Sequence, residues 1–238
     1  MIKYLSEFLG TMLLVALGNG VCAAQNLDGS FFKKSGAVYT MLGWGLAVML
    51  PAMAFGSQSG AHFNPAVTIG FAMIHKVEWS YVPGYIIAQL LGGFLGACIV
   101  YLVYKDHIAL TLQNGAAKED IRGIFCTSPA IRNYKSNFVS EMVATFMLVF
   151  FIVCIPSAAA NTGMSSLLVF AIIMSCGFSF GATTGFAMNP ARDTMPRLAY
   201  KLLIRGDADA AYAWVPIFGP IVGGILGALL GNLVVGWI

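Results

Sequence analysis

Along this chain, apolar stretches are long and the polar positions between them are few. No Asp, Glu, Lys or Arg occurs in 8–27, 35–75, 79–104, 142–191 or 210–238, which together make 166 of 238 residues. A bilayer crossing needs about 20 predominantly apolar residues at 1.5 Å rise each. The 20-, 26- and 29-residue runs each hold one crossing, and the 41- and 50-residue runs must hold more than one element. Spans are predicted near 4–25, 36–55, 80–104, 137–156, 165–181 and 211–236. The fold class is therefore an all-α membrane protein. A transmembrane barrel requires segments of about ten alternating residues, a pattern not seen here.

The chain is written twice. Ser6-Glu7-Phe8-Leu9-Gly10-Thr11 recurs 134 residues later as Ser140-Glu141-Met142-Val143-Ala144-Thr145. FGSQSGAHFNPA (55–66) recurs after 125 residues as FGATTGFAMNPA (180–191), with six of twelve positions identical. LLGGFLGA (90–97) returns after 131 as IVGGILGA (221–228). Three landmarks in the same order at near-equal offsets divide a single 1–238 unit into repeats of about 1–105 and 135–238, joined by a loop over 106–134. Three spans per half put the second half into the membrane from the opposite side, giving inverted repeats as in transport proteins.

Between the second and third spans of each half lies an apolar piece too short to cross: Pro65 to Ile74, and Pro190 to about Leu203. Each starts Asn-Pro-Ala. Asn is a strong N-cap and Pro suits the first helical position. Two re-entrant half-helices starting at Asn64 and Asn189 are predicted. Irregular backbone at membrane depth is tolerated where protein buries it or it lines a watery cavity, so the pair implies an aqueous path.

Composition adds exclusions. The chain is 58% hydrophobic and 10% charged, with a formal net charge of +3, too small and dispersed for nucleic acid. Lys3 before an apolar stretch and Ala23-Ala24 at its end mimic a signal peptide, but Glu7 and the later spans favour a retained first helix. Cys22, Cys98, Cys126, Cys154 and Cys176 form no CxxC pair, and His62, His75 and His107 are scattered, so no metal and no cofactor is expected. No base–nucleophile constellation is evident, so no enzyme is expected.

The duplicated Asn-Pro-Ala boxes, each behind a Gly loop, together with Glu7 and Glu141, resemble the major intrinsic protein family of aquaporins and glycerol facilitators over nearly the whole chain. The resemblance implies six tilted helices plus two half-helices meeting mid-membrane, one pore per subunit and a homotetramer in the cell membrane, with both termini cytoplasmic. It implies pore boxes at Asn64, Pro65, Ala66 and Asn189, Pro190, Ala191. By the same resemblance the selectivity filter is Trp44, Gly177, Phe186 and Arg192. Gly177 leaves room for Trp44 and Phe186 to meet as an aromatic corner, which suits the glycerol branch, as does Asp193 directly after NPAR.

Other readings of these residues stand beside this one. Asn64 and Asn189 can be N-caps only, or can also donate to a molecule in the pore. Arg192 can pair with Asp193, but successive helix residues diverge by about 100°, which favours a pore-facing Arg192. Glu7 and Glu141 can relay protons, or can accept hydrogen bonds from the buried loops, as their repeat equivalence suggests. His62 is expected to brace the first loop. The carbonyls of Gly60, Ala61, His62 and Phe63, and of Gly185, Phe186, Ala187 and Met188, are expected as acceptors along the pore. Gly219, Gly223, Gly227 and Gly231, with Gly92 and Gly96, read as close helix packing.

The expected function is passive passage of glycerol and other small neutral solutes with some water, ions and protons excluded. Urea, dihydroxyacetone, lactic acid and hydrogen peroxide are further solutes. A mainly water- or neutral-acid-conducting channel, a secondary transporter and an ion channel are the alternatives. One conflict remains: with cytoplasmic termini, two of thirteen Lys and Arg (Lys3, Lys76) fall inside, against the positive-inside rule.

Overall fold

The computed structural model describes residues 1–155 and 162–236; residue 156, at the end of the fourth predicted span, lies outside them. Among the described residues there are nine helices and no strand: α1 (Ile2–Asn26), α2 (Ala37–Ser59), α3 (Pro65–Met73), α4 (Val82–Gln113), α5 (Lys118–Phe125), α6 (Tyr134–Cys154), α7 (Thr162–Thr184), α8 (Pro190–Leu203) and α9 (Val215–Val235). Six of them, α1, α2, α4, α6, α7 and α9, are long and apolar enough to cross a membrane. In lipid, a helix satisfies its own backbone polar groups. The nine residues of α3 rise about 14 Å, under half of a ~30 Å hydrocarbon core.

The helices pair as the repeats require. α1 packs on α4 and α6 on α9, while the half-helices cross over: α3 lies on α9 and α8 on α4. The recurrent glycines make these approaches possible. A Cβ on Gly92 or Gly96 would run into the Phe8 or Met12 carbonyl, and one on Gly223 or Gly227 would run into the Met142 or Phe146 carbonyl. These are equivalent contacts in the two halves. Gly93 and Gly224 form a second equivalent pair: a Cβ there would sit 2.7 Å from the carbonyl oxygen of Ala191 and of Ala66 respectively. Each box is thus seated on a glycine of the other repeat.

Two differences from the sequence reading concern 106–134. The third span does not end near 104: α4 continues to Gln113 and stops before Gly115, which has φ 94°. The connection also contains α5, whose Ile121, Ile124 and Phe125 are buried beneath a charged first turn. Eight residues with one apolar face escape a search tuned to 20-residue apolar runs.

Four cations converge on the segment before α9. Lys118 Nζ donates to the Arg205 carbonyl at 3.4 Å, Arg122 Nη1 to that of Asp207 at 3.0 Å and Arg197 Nη1 to that of Ala208 at 2.7 Å. Arg132 grips the Asp209 carboxylate through both terminal nitrogens. Burial opposes ionisation of Asp209, but the Arg132 hydrogen bonds and charge hold its carboxyl below the usual range.

Candidate functional site

α2 and α7 end on equivalent glycines, Gly60 at φ 84° and Gly185 at φ 83°. The chain then alternates in hand: Ala61 and Phe63 are left-handed (φ 51° and 48°), as are Phe186 and Met188 (φ 40° and 50°). Left-handed backbone at non-glycine residues costs of order 1–3 kcal/mol each and persists where surroundings impose it. Buried carboxylates impose it here. Glu7 accepts from the amides of His62 (3.0 Å) and Phe63 (2.7 Å) and from the Ser59 hydroxyl (2.6 Å). Glu141 accepts from the amides of Ala187 (3.0 Å) and Met188 (2.9 Å) and from the Thr184 hydroxyl (2.6 Å). Both carboxylates are fully buried.

In a trans peptide the carbonyl opposes the N–H. With the amides of 62 and 63 turned to Glu7, the carbonyls of Ala61 and His62 turn away from it. The carbonyls of Phe186 and Ala187 turn away from Glu141 in the same manner. These residues line a cavity of about 400 Å³.

Two expected pore carbonyls are already engaged. The Phe63 carbonyl accepts from Asn189 Nδ2, and the Met188 carbonyl accepts from Asn64 Nδ2, each at 2.8 Å. Each box is thus tied to the loop of the other, an inter-repeat contact that no local pattern encodes, and each carbonyl oxygen keeps a second lone pair. Phe63 and Gly185 also lie off the cavity lining, whereas Gly60 and Met188 lie on it. Phe63 instead packs its ring on Gly10, where a Cβ would overlap it.

Asn64 and Asn189 serve as N-caps, their side-chain oxygens accepting from the amides of Ala66 (2.9 Å) and Ala191 (3.0 Å). Each primary amide has a second N–H, and both residues line the cavity. Pro65 and Pro190 occupy the first helical positions. The positive ends of two helices therefore face each other. His62 pairs its Nδ1 with Thr68 Oγ1 at 3.1 Å, and Thr68 in turn bonds the Asn64 carbonyl at 3.0 Å.

Trp44, Phe186, Arg192, Phe71 and Lys76 all line the cavity. Leu14, Val48, Ala52, Leu148, Ile152, Val169 and Ile173 supply apolar walls. The Arg192 guanidinium carbon lies 3.9 Å from a Trp44 ring centroid. Arg192 is 7% exposed, and its Nη1 has no protein acceptor among the described residues.

Asp193 does not pair with Arg192. It accepts from Arg197 Nη2 at 2.8 Å and from the Thr127 amide and hydroxyl, both at 2.7 Å. Gly177 is not on the lining. A Cβ there would meet Phe186 Cζ at 3.2 Å and collide with Met41 Sδ, so the space left by Gly177 is filled by Phe186 and Met41 and not by Trp44.

Ser59, Thr184, Thr68 and Gln89 escaped the sequence reading. Ser59 and Thr184 are repeat-equivalent hydroxyls directly before the loop glycines, a signal present in the text of the two boxes. Gln89 Nε2 donates to Glu7 Oε2 at 2.7 Å and to Thr68 Oγ1 at 2.9 Å. Its counterpart at the 131-residue offset is Pro220, so repetition could not have revealed it.

The model of the family described as major intrinsic protein matches residues 1–230. A probable glycerol uptake facilitator protein of Thermotoga maritima is 48% identical over 220 residues, covering 91% of this chain and 92% of the relative. The glycerol uptake facilitator protein of Bacillus subtilis is 43% identical over 223 residues, covering 92% and 80%. Among solved structures, the aquaglyceroporin from Plasmodium falciparum superposes with a TM-score of 0.88 at 31% identity, covering 98% of this chain and 96% of that one.

Proposed function

The chain belongs to the major intrinsic protein family, and from that premise we propose that it is a passive channel for glycerol and other small uncharged solutes, with some water. The observation that carries this reading is the mixed apolar and polar lining of the cavity. Aromatic and aliphatic surface from Trp44, Phe186, Val48 and Ile173 lines it together with the loop residues Ala61, His62 and Ala187, with Asn64 and Asn189, and with Arg192. A polyol has the matching chemistry: a C–H edge for the apolar wall and hydroxyls that both donate and accept. Trp44, Phe186 and Arg192 are the selectivity filter, with Gly177 behind Phe186. Asn64 and Asn189 are the central donors.

Ions and protons are excluded on the general logic of aquaporin-type pores. Two helix N-termini and the Arg192 cation oppose cations, and the apolar wall offers no substitute for a lost hydration shell. The channel is not an enzyme. Glu7 and Glu141 hold the loops and do not relay protons, since their oxygens are committed to loop donors.

A homotetramer belongs to the same reading, and the apolar helix faces left exposed are open to lipid or to a second copy. Val38, Leu42, Leu46, Leu50 and Met53 make an exposed stripe on α2. Cytoplasmic termini belong to the same reading: Lys118, Arg122, Arg132 and Arg197 are engaged in holding 205–209, so these four carry less weight in the positive-inside count.

Stopped-flow light scattering of proteoliposomes in a glycerol gradient tests the reading. Glycerol flux linear in concentration and indifferent to sodium or proton gradients is expected. Saturating flux that tracks an ion gradient overturns the channel. Water flux without glycerol flux overturns the solute assignment.

A further inference from the structure

The filter aromatics do not hold themselves. Trp44 is 4% exposed, and its indole is gripped on two sides by one face of α1. A Cβ on Gly18 would overlap the six-membered ring of Trp44, at 2.5 Å from Cε3 and Cη2 and nearer still to Cζ3. One turn further, Cys22 Sγ lies 3.4 Å from Trp44 Nε1, placed to accept the indole N–H. The Arg192 guanidinium then lies over the indole at 3.9 Å. Gly18 and Cys22 are four residues apart, so they share a helix face, and the glycine gives the ring room to reach the sulfur.

We propose that Cys22 is a positioning residue of the solute filter: by accepting the Trp44 indole N–H it fixes the tilt of the ring that forms the apolar wall and carries Arg192. This rests on the proposed role of Trp44 in the filter. The indole N–H is a donor with no acceptor function of its own. Bonded to Cys22, it is turned away from the solute path, and the ring presents carbon to the C–H edge of a polyol. Deprived of the sulfur, a donor buried away from water seeks another acceptor. The ring must then rotate, the N–H enters the path, and the seat of Arg192 moves with it. The wall becomes polar on both sides, which suits water better than a polyol.

The experiment compares Cys22→Val, which keeps volume and loses the acceptor, with Cys22→Ser, which keeps an acceptor. Both are reconstituted in proteoliposomes, and glycerol and water permeabilities are measured on the same vesicles. Cys22→Val is expected to lower the glycerol-to-water ratio about fivefold, the factor equivalent to one net hydrogen bond of ~1 kcal/mol. Cys22→Ser is expected to hold the ratio within about twofold of the wild type. Ultraviolet resonance Raman difference spectra follow the indole N–H marker band directly, since the other tryptophans cancel. A shift to weaker hydrogen bonding in Cys22→Val and not in Cys22→Ser is expected.

Equal ratios and an unshifted band in Cys22→Val overturn the proposal, as does an equal loss in both variants. If Cys22→Val fails to fold, Cys22→Ala is read in its place with the same expectations. A Trp44→Ala variant separates the two layers. An unchanged ratio there refutes the filter role of Trp44, whereas an unshifted Raman band in Cys22→Val refutes the cysteine bond alone.

Discussion

The Arg192 guanidinium rests 3.9 Å from a Trp44 ring centroid, so the one cation among the proposed filter residues is held by a cation–π contact and not by its neighbour Asp193. Such contacts contribute about 0.5–2 kcal/mol, more when desolvated. Replacing Arg192 with Ala removes the positive charge and leaves the Trp44 face bare. Such a variant is expected to conduct small cations measurably above empty liposomes, read by a potential-sensitive dye. A leak equal to the wild type assigns ion exclusion to the helix ends alone.

Gly177→His combined with Phe186→Thr is expected to lower glycerol permeability at least tenfold relative to water, measured by stopped flow. The single Gly177→His change is expected to lower the melting temperature, because Phe186 and Met41 already fill that space. Removing the Phe186 ring relieves part of that clash. An unchanged glycerol-to-water ratio in the double variant refutes the filter assignment.

Glu141→Ala leaves the amides of Ala187 and Met188 without their acceptor. Each buried donor left unmade costs about 1–3 kcal/mol. A large drop in detergent melting temperature with loss of both water and glycerol flux is expected, and Glu7→Ala is expected to behave alike. Retained stability with altered proton conductance would return these carboxylates to a relay role.

Gly93→Ala and Gly224→Ala each force a methyl to within 2.7 Å of a box carbonyl, and overpacking of this kind costs about 1–3 kcal/mol. Gly20→Ala, where nothing lies within 4 Å, is expected to be neutral or mildly stabilising, since Ala is the better helix former. Thermal melts of the three variants in one detergent check the contrast.

The Arg132 bonds depress the Asp209 carboxyl in the folded protein. The unfolded chain therefore takes up its proton first, and the stabilisation is present above the ordinary value of 3.8 and lost as pH falls through the folded value. Asp209→Asn is expected to lower the melting temperature at neutral pH and to flatten the acid limb, so that the variant and wild-type profiles converge at low pH. Labelling Lys33 or Lys118 with an impermeant amine reagent on intact cells checks the side on which this cluster lies. Protection of both contradicts cytoplasmic termini.

The sequence by itself determined the class, the count of crossings and the two half-helices. Lipid excludes unpaired backbone, so long uncharged runs have few options, and a chain written twice repeats its local instructions. Asn64-Pro65 and Asn189-Pro190 marked their own helix starts because capping is local. Tertiary structure alone decided which groups are spent. The Phe63 and Met188 carbonyls look free in the sequence and each accept a hydrogen bond, from Asn189 and Asn64 of the opposite repeat respectively. Asp193 is adjacent to Arg192 yet is consumed by Arg197 and Thr127. Gly177 opens space that Met41 enters. In each case the partner lies on another element, and only packing brings it within hydrogen-bond or van der Waals reach.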